Sequence, residues 1–455
     1  MILTVALWAM GAVLVVVVSV TSSLDQPVLQ AAAVLAMCGA FGAALSRHVR
    51  GVPTLIVALL SALTFSSLLP LPAALVVQVA AIVVPFALWV ARGGLRSSTR
   101  WVVLAVVITL AVWTALVFHP NVPDLIVGLE GWRKSVLALV GVVLGCAAVA
   151  RRAVEDLVIG LLVVALGVSL VAHLWLTPIE SYIARDAAIY TGEFGGVERL
   201  QGVFAGPFHV AQAAVLVIGW AGIRFMTRRV LASFAVAVGL AAIAFAMVRT
   251  AFVALAAVVL CVALVYPMTR RLRIGILSGA AAAVVTAGLL AWTGALGPAA
   301  ASLFTAATDG RLLNRFPGYG EAVTLFVQSP WWGWGAGSAG DTLGRQFEAA
   351  GLAHVTSHNI LLKVVVEGGL VGLVAWVFVA VVLWRTVSWR TGAGRVALVS
   401  LVGLAVFGVV GSSLEALPVT YLLFVLVGLA CRHFRPLRLG PVVGPSISDV
   451  SISGR

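Results

Sequence analysis

The sequence predicts an all-α fold: a polytopic integral membrane helix bundle of about 14 spans with long outer loops. Three observations carry that expectation. Of the 455 residues, 62% are hydrophobic and only 10% are charged, where a soluble domain has about a quarter charged. The mean hydropathy is +1.14, so the chain cannot cover its own surface with polar groups in water. Runs such as Ile2–Val20 and Trp101–Phe118 are continuous rather than alternating. Alternation would mark barrel strands, whereas continuous runs of about 20 residues mark helices.

Taken in order, apolar runs between polar breaks place spans near 2–20, 28–46, 53–69, 71–91, 101–118, 134–150 and 157–176. They continue near 207–223, 230–248, 250–267, 274–293, 359–384, 396–414 and 416–431. The first run has no basic residue before it and no small-residue cleavage site, so it reads as a retained span rather than a removed signal peptide. From Val230 to Pro267 the chain is nearly all apolar and too long for one crossing. It is expected to fold back on itself, with Arg249, its sole charge, at the tip.

The charges give an orientation. Alternate loops hold Arg47/Arg50, Arg92/Arg96/Arg100, Arg151/Arg152, Arg224/Arg228/Arg229, Arg270/Arg271/Arg273, Arg385/Arg390/Arg395 and Arg432/Arg435/Arg438. With Arg455 these make 20 of the 29 basic residues, while only Glu155, Asp156 and Asp449 of the 16 acids share that side. Positive loops stay in the cytoplasm. This reading places both termini in the cytoplasm. It also accounts for the net charge of +13 without nucleic acid. The cysteines, Cys38, Cys146, Cys261 and Cys431, have no metal-type spacing, and neither a disulfide framework nor a zinc site is expected.

The expected organisation is an N-terminal transmembrane bundle (1–176), an outer loop (177–206), helices with the Arg249 hairpin (207–293), a large outer loop (294–358), C-terminal helices (359–431) and a cytoplasmic tail (432–455). Only the two outer loops are long enough to hold chemistry. Inside the second, Tyr319 to Gln328 reads as a short amphipathic helix, and the tryptophans and glycines of WWGWGAGSAG are expected at the interface.

Arg199, Arg249 and His358 stand out, all on the outer side. Charge at or below a membrane interface is costly unless paired or used. Each also has a plainer reading. Arg199 pairs with Glu198, Glu193 or a lipid headgroup, Arg249 snorkels from a hairpin tip, and His358 begins a helix capped by Ser357 or Asn359. Lys363 and Glu367, four apart, read as an ion pair, and Gly368, Gly369 and Gly372 as surfaces for close helix contact. Asp25, in the first outer loop, reads as a turn residue before Pro27 rather than an essential carboxylate.

In order along the chain stand Arg199/Gly202/Phe204 before a span, the hairpin Arg249, Gly310/Arg311, the Pro330–Gly335 run, and the Ser357–Leu373 stretch with Ser-His-Asn and Glu-Gly-Gly-Leu-Val-Gly-Leu. Together they resemble the bacterial O-antigen ligase and polymerase family over roughly residues 195 to 385. Two departures are Phe208, where the family often has Asn after the Pro, and Val248, where it often has Ser before the hairpin Arg. The resemblance implies metal-independent, inverting transfer of a glycan from a polyprenyl diphosphate to a glycan, lipid or protein acceptor on the extracytoplasmic face, with no cofactor. It implies Arg199 and Arg249 as a diphosphate clamp, His358 as general base or donor-orienting group, and Arg311 as a further substrate contact. Besides donor and acceptor, the expected partner is membrane lipid, with no nucleic acid, and the location that the resemblance implies is a bacterial inner (plasma) membrane. The rival is a transporter or flippase of the same lipid-linked saccharide, for which broken helices, midplane sites and internal repeats would speak.

Overall fold

The computed structural model describes residues 54–66, 71–91, 100–148, 150–175, 193–194, 197–204, 206–293, 315–340, 344–411 and 413–431. The first two expected spans, Asp25, Arg311 and the C-terminal tail lie outside the described residues.

Among the described residues the regular elements are helices and an antiparallel ladder of two residues a side, β1 (Glu193–Phe194) and β2 (Val197–Glu198). The first group of helices is α1 (Thr54–Thr64), α2 (Leu71–Ala91), α3 (Arg100–Val117), α4 (Leu125–Ser135), α5 (Val140–Ala147) and α6 (Arg151–Trp175). The second is α7 (Pro207–Arg224), α8 (Arg229–Ala246), α9 (Arg249–Val265) and α10 (Arg270–Trp292). The third is α11 (Arg315–Gln328), α12 (Gly344–Ala349), α13 (Ile360–Thr386), α14 (Gly392–Val410) and α15 (Leu417–Leu429). By length and composition α3, α6, α8, α13 and α14 can each cross a bilayer.

Two helix faces show the solvent these helices were made for. On α3, Trp101, Leu104, Val107 and Ile108 are exposed, and on α13 so are Val374, Val377, Val381 and Trp384. Each set recurs at three- and four-residue spacing, one apolar stripe per helix, as hydrocarbon requires and water does not allow. By contrast, every residue of α15 is buried. It forms the centre, and glycines let its neighbours approach: a side chain at Gly145 or Gly428 would strike backbone of the facing helix in the α5–α15 pair. The long apolar run turns at Met247, whose φ of 49° is left-handed, and restarts as α9. The two arms straddle α7: Gly239 of α8 meets Ile218, while Gly219 and Gly222 of α7 meet Val258 and Val262 of α9.

One expected span, 134–150, is not a single helix. α4 ends at Ser135, a 3-10 turn covers Leu137–Leu139, and α5 begins at Val140. The charges in α4 explain the break. Arg133 is buried, with its Nε 2.8 Å from Glu130 and a second nitrogen on Gln78 of α2, and the hydroxyl of Ser135 is used by Glu367 of α13. A straight helix through this stretch would turn some of these polar groups toward lipid.

Loops meet in two separate sets. At one end Asn121 bonds the carbonyls of Trp334 and Ala353, Arg199 reaches Ala246, and Asn359 and Tyr319 both reach Val409. At the other, Arg224 grips Glu155 with contacts of 2.7 and 2.6 Å, Arg228 meets Asp156 at 2.9 Å, and Ser388 bonds Ala430.

Candidate active site

Arg199 follows directly on β2. The Leu200 N–H donates to the Phe245 carbonyl at 3.0 Å, and Arg199 Nε donates to the Ala246 carbonyl at 3.0 Å. These are last-turn carbonyls of α8, which a helix leaves without internal partners, and a cation also offsets the negative end of its dipole. Arg199 is thereby buried, at 4% exposure. Arg249 opens α9 three residues past Ala246, beyond the Met247–Val248 turn. The fold therefore brings Arg199 and Arg249 to the same hairpin tip.

A third cation joins them. The Arg199 guanidinium lies 5.6 Å from the ring centre of Phe208, the second residue of α7, and the Arg315 guanidinium lies 6.0 Å from that same ring. Arg315 is the first residue of α11. That helix starts earlier than the sequence suggests, and its first turns lead to the histidine loop. A side chain at Gly318 would sit 3.0 Å from the Thr356 carbonyl, and Tyr319 shares the Val409 carbonyl with Asn359.

His358 is half-buried and holds a left-handed backbone, φ 45°. Such a conformation costs energy for a residue with a Cβ and persists where neighbours over-determine it. The neighbours do so here. Asn359 is the N-cap of α13, its Oδ1 accepting from Leu362 N–H at 3.1 Å and its Nδ2 donating to Val409 at 3.0 Å. The capping role expected near His358 thus belongs to Asn359.

Below this loop α13 is broken at Gly369, with φ 58° and ψ −153°. The Pro330–Gly335 segment fills the gap. Leu370 and Val371 donate to the carbonyls of Pro330 and Trp331 (2.8 and 3.2 Å), and Trp334 and Gly335 donate to those of Val366 and Glu367 (2.8 and 3.0 Å). Two motifs far apart in sequence are one physical unit. Trp331 and Trp332 stay exposed, while the Trp334 indole donates to Leu325 at 2.7 Å.

Beside the break lies a buried charge cluster. Glu367 accepts from Lys363 (2.8 Å), Gly337 N–H (3.1 Å), Ser135 (2.6 Å) and Trp113 (3.1 Å). Lys363 also meets Glu415 at 3.0 Å and the Ala339 carbonyl at 2.6 Å. The expected Lys363–Glu367 pair is present, inside a larger network. In the loop above, burial and the Lys363 ammonium hold the His354 imidazole below its usual pKa. Among the described residues, no three His, Cys, Asp or Glu side chains gather as a metal set.

Residues 234–377 match the model of the family described as O-antigen ligase. This segment is similar to the O-antigen ligase family. It runs from α8 into α13, taking in Arg249, Arg315, the tryptophan segment, His358 and Glu367, while Arg199 and Phe208 contribute from outside it. No curated protein matches the chain. Sequence reasoning missed Arg315, Phe208 and Glu415. For Glu415 there was a signal, a lone acid between two apolar runs. Phe208 stood out only as a departure from the family pattern, and an aromatic at a helix start is otherwise ordinary.

Proposed function

We propose that this protein transfers a glycan from a polyprenyl-diphosphate donor to an acceptor hydroxyl on the extracytoplasmic face of a bacterial inner membrane. The reading is carried by one observation: Arg199 and Arg249 share a hairpin tip beside a segment similar to the O-antigen ligase family, whose α11 links that tip to the loop of His358. In this mechanism His358 accepts the proton of the acceptor hydroxyl as its oxygen attacks the anomeric carbon. The bond from that carbon to the diphosphate oxygen breaks, and the leaving polyprenyl diphosphate carries away the electron pair. Arg199 and Arg249, permanently charged and able to bond phosphate bidentately, meet the developing charge. One displacement inverts the anomeric centre. Arg311, next to this machinery in sequence, is proposed as a further donor or acceptor contact.

The test is transfer in proteoliposomes with donor and acceptor supplied. His358→Ala should insert normally and lose about 100-fold or more in rate, the usual share of a general base. Wild-type turnover by that variant would remove His358 from the mechanism. A chelator should leave the rate unchanged. Abolition by chelator with recovery on adding a divalent ion would overturn the metal-free step.

A second reading, export of the same lipid-linked saccharide, is favoured by the break in α13 and the buried Lys363–Glu367–Glu415 cluster, features that transporters use. Against it, the break is filled by backbone and the Lys363 ammonium has an acceptor for each proton. A donor chemically unaltered after prolonged incubation, yet moved across the bilayer, would favour export.

A further inference from the structure

We propose that α14 is the spacer that sets His358 against the arginine tip, and that Asn359 is the positioning residue that fastens His358 to it. The inference rests on the glycan-transfer reading and deepens it, because α14 lies beyond the segment similar to the ligase family. Its basis is that one helix touches both halves of the candidate site. Midway along α14, a Cβ at Gly403 would lie 3.3 Å from Val215 of α7 and 3.6 Å from Val258 of α9, the helix that Arg249 opens. From the facing side, a Cβ at Gly219 of α7 would lie 2.6 Å from Val399 of α14. Small residues let these helices approach closely, and so tight an interface passes a displacement on rather than absorbing it.

The end of α14 holds the histidine loop. The Val409 carbonyl belongs to its last turn, where a helix supplies no internal donor. Asn359 Nδ2 donates to that carbonyl at 3.0 Å, and the Tyr319 hydroxyl of α11 donates to it at 3.4 Å. Beside it, a Cβ at Gly408 would lie 2.5 Å from Ile360 Cδ1, so the start of α13 rests against the same helix end. Asn359 uses its other amide atom on α13, Oδ1 accepting from the Leu362 N–H at 3.1 Å. One side chain thus ties the residue after His358 to two helices. A cap alone is served as well by Ser or Asp, whereas the Val409 bond is the part that uses the amide nitrogen. The left-handed backbone of His358, φ 45°, is the kind of geometry that such a double hold maintains.

The experiment uses the full chain in proteoliposomes, with lipid-linked glycan and acceptor extracted from the membranes in which the protein naturally works. The readouts are kcat, donor KM and the pH profile of kcat. With a base in place, the wild-type kcat should rise with pH and level off once the imidazole is neutral. Asn359→Ser keeps a cap and loses the Val409 bond. It should lower kcat by about 10- to 100-fold, the scale of a misplacement of roughly 1 Å, with donor KM as in wild type. Its kcat should climb with pH without levelling, as in His358→Ala, because hydroxide then stands in for the base. Gly403→Val, which pushes α14 off α7 and α9 and leaves the bonds of Asn359 in place, should change the profile in the same way. Asn359→Ser carries the test alone if Gly403→Val does not insert. A wild-type kcat in Asn359→Ser would overturn the inference. A lowered kcat on a wild-type profile would overturn it too, since a merely structural loss scales the curve without reshaping it. A reshaped profile in Asn359→Ser with a wild-type one in inserted Gly403→Val would overturn the spacer role of α14. A levelling profile in His358→Ala would instead bring down the assignment of His358 as base, whatever Asn359 does.

Discussion

Lys363 sits at 0% exposure with three bonded acceptors, two of them carboxylates. Removing one partner of a buried ionic group leaves the rest uncompensated, at a cost of about 3–5 kcal/mol. Lys363→Met should therefore lower stability by that order, read as the unfolding midpoint in detergent. Glu415→Gln, which leaves one ammonium facing one carboxylate, should cost clearly less. If the two variants melted alike, the cluster would not be held by charge. The spacing of Lys363 and Glu367 was legible in sequence, but their complete burial was not, because it depends on Glu415, Ser135 and Trp113 from three other segments. His354 makes a second residue-scale prediction. Burial, then the Lys363 ammonium, depress its pKa below the ordinary imidazole value of about 6.5. As pH falls through 6.5 the unfolded chain takes up the proton first, so stability drops from there down to the depressed folded value. Melting between pH 7.5 and pH 5 should show that decline, and His354→Gln should flatten it; an unchanged slope in the variant would place the acid sensitivity elsewhere.

At the scale of elements, α13 was expected as one helix with glycines for close packing. That holds for Gly368 and Gly372, where an added Cβ would meet Trp113 at 3.3 and 2.9 Å. Gly369 is different: its backbone leaves the helix, and a Cβ there would lie 2.5 Å from the Trp331 carbonyl group. Gly369→Ala should cost roughly 2–3 kcal/mol from strained backbone alone, and it should push the Pro330–Gly335 segment out of the gap. The check is paired: a lowered melting midpoint together with increased protease or hydrogen-exchange access at Trp331–Gly335. Stability loss with that segment still protected would mean that α13 bends without it. Sequence could not show the break, because a glycine in an apolar helix looks the same whether it packs or kinks. The partners that decide it lie more than thirty residues upstream. The divided 134–150 stretch escaped for a related reason, since the partners that Arg133 and Ser135 find outside their own helix lie in α2 and α13.

For the whole molecule, the alternation of basic and acidic loops foretold which loops would meet. Lys and Arg sorting acts during insertion on each loop by parity, so it is written locally and can be read without coordinates. The two loop sets follow that parity. Arg199, the Arg249 turn, Asn121, Tyr319 and Asn359 belong to contacts at the acid-rich end, whereas Glu155 and Asp156, two of the few acids at the basic end, are matched by Arg224 and Arg228. Which set faces the cytoplasm is then a single binary prediction for all of them. Gln346 and Thr227 are exposed, one from each set. In a background with Cys38, Cys146, Cys261 and Cys431 replaced, Gln346→Cys should react with a membrane-impermeant maleimide on intact spheroplasts. Thr227→Cys should react only after permeabilisation. The reverse pattern would put Arg199, Arg249 and His358 beside the cytoplasm, where a donor already carried across the membrane never presents its diphosphate, and the proposed transfer would lose its substrate.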